Sequence, residues 1–150
     1  MTKKVEILVR TDDKDCLPKY MSEGAAGADV RASNIEPIDL KPGEMEIIPT
    51  GLFFEIPHGY EIQVRPRSGL AAKSMVTVLN SPGTIDSDYR GELKLIMINH
   101  SKVDTFTVTK GLRMGQIVVA AVVQAEFKLY EGELATTARG ESRFGSSGLQ

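Results

Sequence analysis

The chain has no tryptophan, one cysteine and two histidines, and no apolar run comes near the roughly 20 residues needed to cross a bilayer. A lone Cys16 cannot close a disulfide within the chain, which suits a reducing cytosol. Neither histidine has a partner at metal-ligand spacing. His58 sits in the Pro57-His58-Gly59 turn and His100 follows a strand-like run, so both read as surface residues. A formal charge of −2 gives no general pull toward nucleic acid, so a bound polyanion must be held by a few placed basic groups. Met1-Thr2-Lys3-Lys4 leads into a strand-like stretch without the apolar core of a signal peptide. These absences predict a soluble cytoplasmic protein with no nucleic-acid and no membrane partner. At 150 residues the chain is read as one domain over 1–150, with a flexible tail from about 137.

What is present is a series of short strand patterns punctuated by Gly and Pro. Val5 to Arg10 is β-branched and partly alternating, and Asp12 to Asp15 is polar loop. Glu44 to Pro49 and Leu52 to Ile56 read as two strands broken at Thr50-Gly51; Tyr60 to Pro66 alternates as a half-buried strand does. Glu92 to Ile98 and Phe106 to Val108 are further strands. Met114 to Val123 is the most apolar run, greasy on both strand faces, which predicts that one face meets another subunit. The expected fold is all-β, a sandwich or distorted jelly roll of short strands with a single short helix, Ser68 to Lys73.

Five places carry candidate chemistry. Gly83-Thr84-Ile85-Asp86-Ser87-Asp88-Tyr89-Arg90-Gly91-Glu92 sets a carboxylate beside an aromatic ring, as a general base facing a planar, sugar-bearing ligand requires; it reads equally as an acidic hairpin turn. Ser68 is a natural N-cap, so the free amides of the helix point toward Arg67 and make an anion site, or an ordinary capped turn with a surface arginine. Small residues crowd Asp29 in Ser22 to Arg31, where a tight bend with a turn acid is the simpler reading of Gly27 and Asp29. Gln116 is the polar exception in the apolar run, either a satisfied core amide or a ligand contact. The end of the chain, Arg139 to Gln150, is Gly/Ser-rich and builds no core, yet carries an aromatic ring and two arginines that suit a base and phosphates.

Taken together, these residues resemble the trimeric dUTPase family from about Ala25 to the last residues. Ala26-Gly27-Ala28-Asp29-Val30 is similar to the first family motif, Pro66-Arg67-Ser68-Gly69-Leu70-Ala71 to the second and Asn80 through Glu92 to the third. Arg113-Met114-Gly115-Gln116-Ile117 resembles the fourth, and Arg139 to Gly148 the fifth. The tail departs from the family's Arg-Gly-x-Gly-Gly-Phe-Gly-Ser: Ser142 and Arg143 stand where the two middle glycines are usual, and their side chains restrict the backbone.

The resemblance implies a β-clip, dUTPase-like barrel and the hydrolysis of dUTP to dUMP and pyrophosphate, which supplies dUMP and keeps uracil out of DNA. Asp86 would deprotonate the attacking water and would be a base held out of solvent. Arg67, Ser68 and Gly69 would hold phosphates with Gln116 nearby, and Asp29 would steady Arg67 or a metal-bound water. Asn80 and the main chain near Lys94 would pair with uracil, Gly83, Thr84 and Ile85 would join the substrate-binding set, and Tyr89 would press on the deoxyribose. From the tail, Arg139, Ser146 and Ser147 would meet phosphates while Phe144, with Gly145, covers the base. Mg²⁺ would be carried by the triphosphate and waters, with no direct protein ligand, and three subunits would share each site. Two alternatives stand beside it: a dCTP deaminase-like enzyme on a similar barrel, and a non-catalytic nucleotide-binding sandwich.

Overall fold

A computed structural model describes residues 4–141. Its strands are β1 (Leu8–Arg10), β2 (Lys19–Tyr20), β3 (Ala28–Arg31), β4 (Ile38–Leu40), β5 (Met45–Glu55), β6 (Tyr60–Arg65), β7 (Val76–Val78), β8 (Gly83–Ile85), β9 (Glu92–Asn99), β10 (Phe106–Val108) and β11 (Arg113–Ala121). One short helix, α1 (Ser68–Ser74), and a 3₁₀ turn at Lys14–Cys16 complete the described elements. The fold is all-β and jelly-roll-like. A four-stranded sheet ordered β1-β5-β9-β7 faces a five-stranded sheet ordered β2-β3-β11-β6-β8, and β10 pairs with β4 in a small ribbon.

Period-two alternation builds the core between the sheets. β5 sends Ile48, Thr50, Leu52 and Phe54 inward, β9 Leu93, Leu95, Met97 and Asn99, and β6 Ile62 and Val64; β3 and β11 add Ala28, Val30, Met114 and Ile117. Each large aliphatic side chain withdrawn from water here contributes roughly 1.5–3 kcal/mol. Asn99 is fully buried and pairs its polar atoms: Nδ2 donates to the Leu40 and Asp104 carbonyls at 2.9 and 2.8 Å, and Oδ1 accepts from the Ser101 amide at 2.9 Å.

Several sequence expectations are corrected here. The two strands expected around Thr50-Gly51 are one strand, β5, whose register against β9 slips between Pro49 and Leu52. Gly51 takes φ +67 there, and the Thr50 hydroxyl donates to the Leu93 carbonyl at 2.5 Å, so a bulge absorbs what the sequence signals as a break. Asp29 lies inside β3, with Lys19 on one side and Gln116 on the other, rather than in a bend. The helix is capped by Arg67, in extended conformation and with no side-chain cap bond, so Ser68 is its first residue and not its cap. β8 and β9 lie in different sheets, so the stretch between them is a crossover and not a hairpin turn. β11 ends at Ala121, and the first strand covers only Leu8–Arg10.

Candidate active site

The strand register lines up three of the candidate segments at one end of the five-stranded sheet. Asp29 on β3 is opposite Gln116 on β11, and Gln116 is opposite Arg65 on β6, from which Pro66 and Arg67 lead into α1. The Asp29 carboxylate, 14% exposed, divides its oxygens between two guanidiniums. Arg67 Nε lies 3.3 Å from Oδ1, and Arg113 Nη1 donates to Oδ2 at 2.9 Å. Arg67 Nη1 also donates to the Arg113 carbonyl at 3.1 Å, and Gln116 Nε2 donates to the Pro66 carbonyl at 2.9 Å. The Gln116 carboxamide lies across Gly27, where any Cβ would collide with Oε1. That contact is why the crowded stretch is glycine at this point.

The Asp29, Arg67 and Arg113 cluster sums to one carboxylate against two guanidiniums, an excess of one positive charge. Beside it, the first amides of α1, at exposed Ser68 and Gly69, have no intrahelical acceptor. Preorganised donors and surplus positive charge are the chemistry that an anion site requires. Arg113 is the participant that residue-by-residue reading passed over. It stood inside the quoted fourth motif, and its spacing of three from Gln116 was the available signal.

Asp86 is elsewhere. β8 runs antiparallel to β6 with Gly83 opposite Val64 and Ile85 opposite Ile62, so the chain reaches Asp86 moving away from Arg67. At about 3.3 Å per strand residue, Asp86 and Arg67 stand on the order of 15–20 Å apart along β6. One chain does not bring them together. The Asp86 side chain is exposed, against the expectation of a base held out of solvent, because the crossover leaves the edge of the sheet there. No described residue donates a hydrogen bond to its carboxylate. A turn closes the loop, with the Tyr89 amide donating to the Asp86 carbonyl at 3.2 Å.

The remaining candidates lie before and along β8, in the loop that follows it and at the start of β9. The Tyr89 ring lies over Gly91 where a Cβ would be, and its hydroxyl donates to the Glu92 carbonyl at 3.0 Å. Arg90 laces the loop by donating to the Ser87 and Tyr89 carbonyls at 2.7 and 3.0 Å. Lys94 pairs with Glu92 at 3.6 Å. Gly83 is buried against Val64, with the Asn80 amide nitrogen 3.5 Å from the place of its missing Cβ. Thr84 and Asn80 are exposed and Ile85 is half-buried. Arg139 is exposed; Phe144, Gly145, Ser146 and Ser147 lie outside the described residues. Cavities of about 600, 340 and 320 Å³ contain neither Asp86 nor Arg67.

Among the described residues no group of three His, Cys, Asp or Glu side chains is placed to hold a metal ion. No helix among them is long and apolar enough to cross a membrane.

Comparison with known proteins adds three findings. The family model described as dUTPase matches residues 13–148. A deoxyuridine 5'-triphosphate nucleotidohydrolase of Chlamydia pneumoniae is 57% identical over 132 residues, 88% of this chain and 90% of the relative. One of Fusobacterium nucleatum subsp. nucleatum is 53% identical over 146 residues, 97% of this chain and 99% of the relative. Among solved structures, a Staphylococcus bacteriophage 80alpha dUTPase with dUPNHPP superposes with a TM-score of 0.83 at 25% identity, over 97% of this chain and 100% of that one.

Proposed function

Because this chain belongs to the dUTPase family and hydrolyses dUTP to dUMP and pyrophosphate, we propose that it does so as a homotrimer whose sites draw on different subunits. The observation that carries this is the separation along β6. The acid suited to activate water and the arginine suited to hold phosphate sit at opposite ends of one strand, and closed symmetry can bring one chain's Asp86 to another's Arg67. Exposed apolar side chains support assembly. Beyond β11, Val123, Phe127, Leu129 and Leu134 are 94, 94, 93 and 83% exposed, and Val118 and Val119 are only half-buried. Large apolar side chains exposed in this number suit a protein interface.

In the reaction, a water oxygen attacks the α-phosphorus and Asp86 accepts its proton. The electron pair of the breaking P–O bond leaves with pyrophosphate. Arg67, with the amides of Ser68 and Gly69, binds the phosphates, and Gln116 sits beside them; Asp29 keeps Arg67 extended toward the substrate. Uracil pairs with Asn80 and with the main chain near Lys94, next to Gly83, Thr84 and Ile85. That backbone pairing rejects cytosine by mismatched donors and thymine by its methyl bulk. Tyr89 excludes a 2′-OH. Arg139, Ser146 and Ser147 join the phosphates from the tail, and Phe144, with Gly145, covers the base. The donor set fits Mg²⁺ only as a passenger of the triphosphate, since both oxygens of Asp29 are engaged by arginines. When bound, the ion supplies charge neutralisation on the phosphate oxygens. We read residues 1–150 as one catalytic domain with a tail from about 137, acting in the cytoplasm, where free Cys16 is at home.

The test mixes two crippled chains. Asp86→Asn and Arg67→Ala are refolded together in equal amounts, and pyrophosphate release from dUTP is measured. If each site takes Asp86 and Arg67 from different chains, about a quarter of the sites regain both. A mixture that stays inactive, with mixed oligomers demonstrated by mass, overturns the shared site.

A further inference from the structure

We propose that Glu92 is a positioning residue for sugar discrimination: its carboxylate locks the base of the Asp86–Tyr89 loop onto the bulge in β5. The proposal rests on the reading of Tyr89 as the group that excludes the 2′-OH.

The bulge leaves the Gly51 amide without a ladder partner, because Pro49 opposes Lys94 and Leu52 opposes Leu93 with two residues between. Glu92 Oε1 accepts that amide at 2.9 Å, and its other oxygen lies 3.6 Å from Lys94 Nζ. The Glu92 side chain is only 21% exposed, which makes the Gly51 bond the more consequential of the two; Lys94 is 53% exposed and its ion pair is well solvated. Next to this bond, Thr50 fixes the Leu93 carbonyl at 2.5 Å. The start of β9 is therefore held by side chains on both strands, beyond the main-chain ladder.

Tyr89 hangs from that anchor. Its hydroxyl donates to the Glu92 carbonyl at 3.0 Å and its ring lies over Gly91. Both contacts refer the ring to the backbone of residues 91 and 92. That backbone is referred in turn to Gly51 through the Glu92 side chain. Releasing the carboxylate lets the peptide carrying both contacts shift, and the ring edge moves with it. A shift well under 1 Å admits a hydroxyl that close packing would otherwise refuse.

The experiment measures kcat/KM for dUTP and UTP in Glu92→Ala, Glu92→Gln and Tyr89→Ala. Glu92→Ala is expected to raise the UTP-to-dUTP ratio about 10-fold. Glu92→Gln keeps an oxygen for the Gly51 amide and is expected to hold the ratio within about 2-fold of the parent. Glu92→Asp, one methylene short of Gly51, replaces Glu92→Ala if that variant does not fold. A general loss of stability would slow both substrates alike and leave the ratio fixed. If Tyr89→Ala moves the ratio and Glu92→Ala does not, Glu92 has no positioning role while the reading of Tyr89 stands. If neither moves it, Tyr89 is not the sugar gate and the proposal falls with it.

Discussion

The two ends of β6 are built on opposite plans. At the Arg65 end the charged and amide side chains are already bonded to protein, Asp29 between Arg67 and Arg113 and Gln116 on the Pro66 carbonyl, and only the first amides of α1 stay open. At the other end the Asp86 carboxylate is exposed, and the loop that carries it is held by side chains that bond only to backbone oxygens, from Tyr89 and Arg90. The difference fits the roles proposed for the two ends. Holding a polyphosphate calls for fixed donors in place before the ligand arrives, because reorganising them afterwards costs part of the binding energy. A general base needs the reverse, a carboxylate whose lone pairs are open to a water. A strong partner such as an arginine would tie up the lone pair that has to accept the proton.

The largest effect that would break this contrast is on catalysis at the open end. Asp86→Asn is nearly isosteric and cannot accept a proton, so kcat should fall by ~10²–10⁴ while nucleotide binding persists. Because the side chain is exposed and unpartnered among the described residues, unfolding stability should stay within about 0.5 kcal/mol of the parent. Pyrophosphate release and a urea titration give the two numbers. A variant that keeps half of its kcat removes Asp86 as the base, and one that unfolds early shows that the open end is structural after all.

At the closed end the same substitution should act on both quantities. Asp29→Asn leaves two guanidiniums facing each other with one neutral acceptor between them. The Arg67 and Arg113 side chains are 24 and 37% exposed, so water screens part of the loss, and about 1–2 kcal/mol of stability is expected to go. Arg67 then loses its fixed direction, and kcat/KM for dUTP should fall roughly 10-fold. Lys at position 67 should not substitute for Arg, since a single ammonium nitrogen does not reproduce the two separate, fixed donors that reach Asp29 and the Arg113 carbonyl. An Asp29→Asn protein with parental stability and a parental rate would mean that the ion cluster orients nothing.

How much of this was legible in the sequence divides along the same line. Period-two alternation located β6, β9 and β10, because strands with one face on a core write their pattern directly into the chain. It failed where the partner strand decides the outcome. Gly51 looks like punctuation and is a bulge, because its amide finds Glu92 rather than solvent. Asp29 looks like part of a bend and lies inside β3, with Gly27 just before the strand, because the long-range partners Gln116 and Arg113 are invisible to local reading. Motif order found the site segments, yet it could not say that Asp86 and Arg67 face away from each other along β6. That is a property of register, fixed by which residue meets Ile62.

The smallest effect sharpens the closed end further. Gly27 is not in the left-handed region, and the three atoms nearest to where a side chain would start all belong to the Gln116 side chain. In Gly27→Ala that flexible amide must swing aside and release the Pro66 carbonyl, at a cost of about 1 kcal/mol in stability and a several-fold loss of kcat/KM. Gln116→Ala should cost a similar amount by deleting the same bond. The informative protein carries both changes. With no carboxamide left to displace, the alanine at 27 has room, and the double variant should match Gln116→Ala alone within about 0.3 kcal/mol. Urea titrations of the four proteins measure this coupling. Strict additivity would mean that residue 27 must lack a side chain for some reason other than Gln116, the nearest being a ligand that approaches its backbone directly.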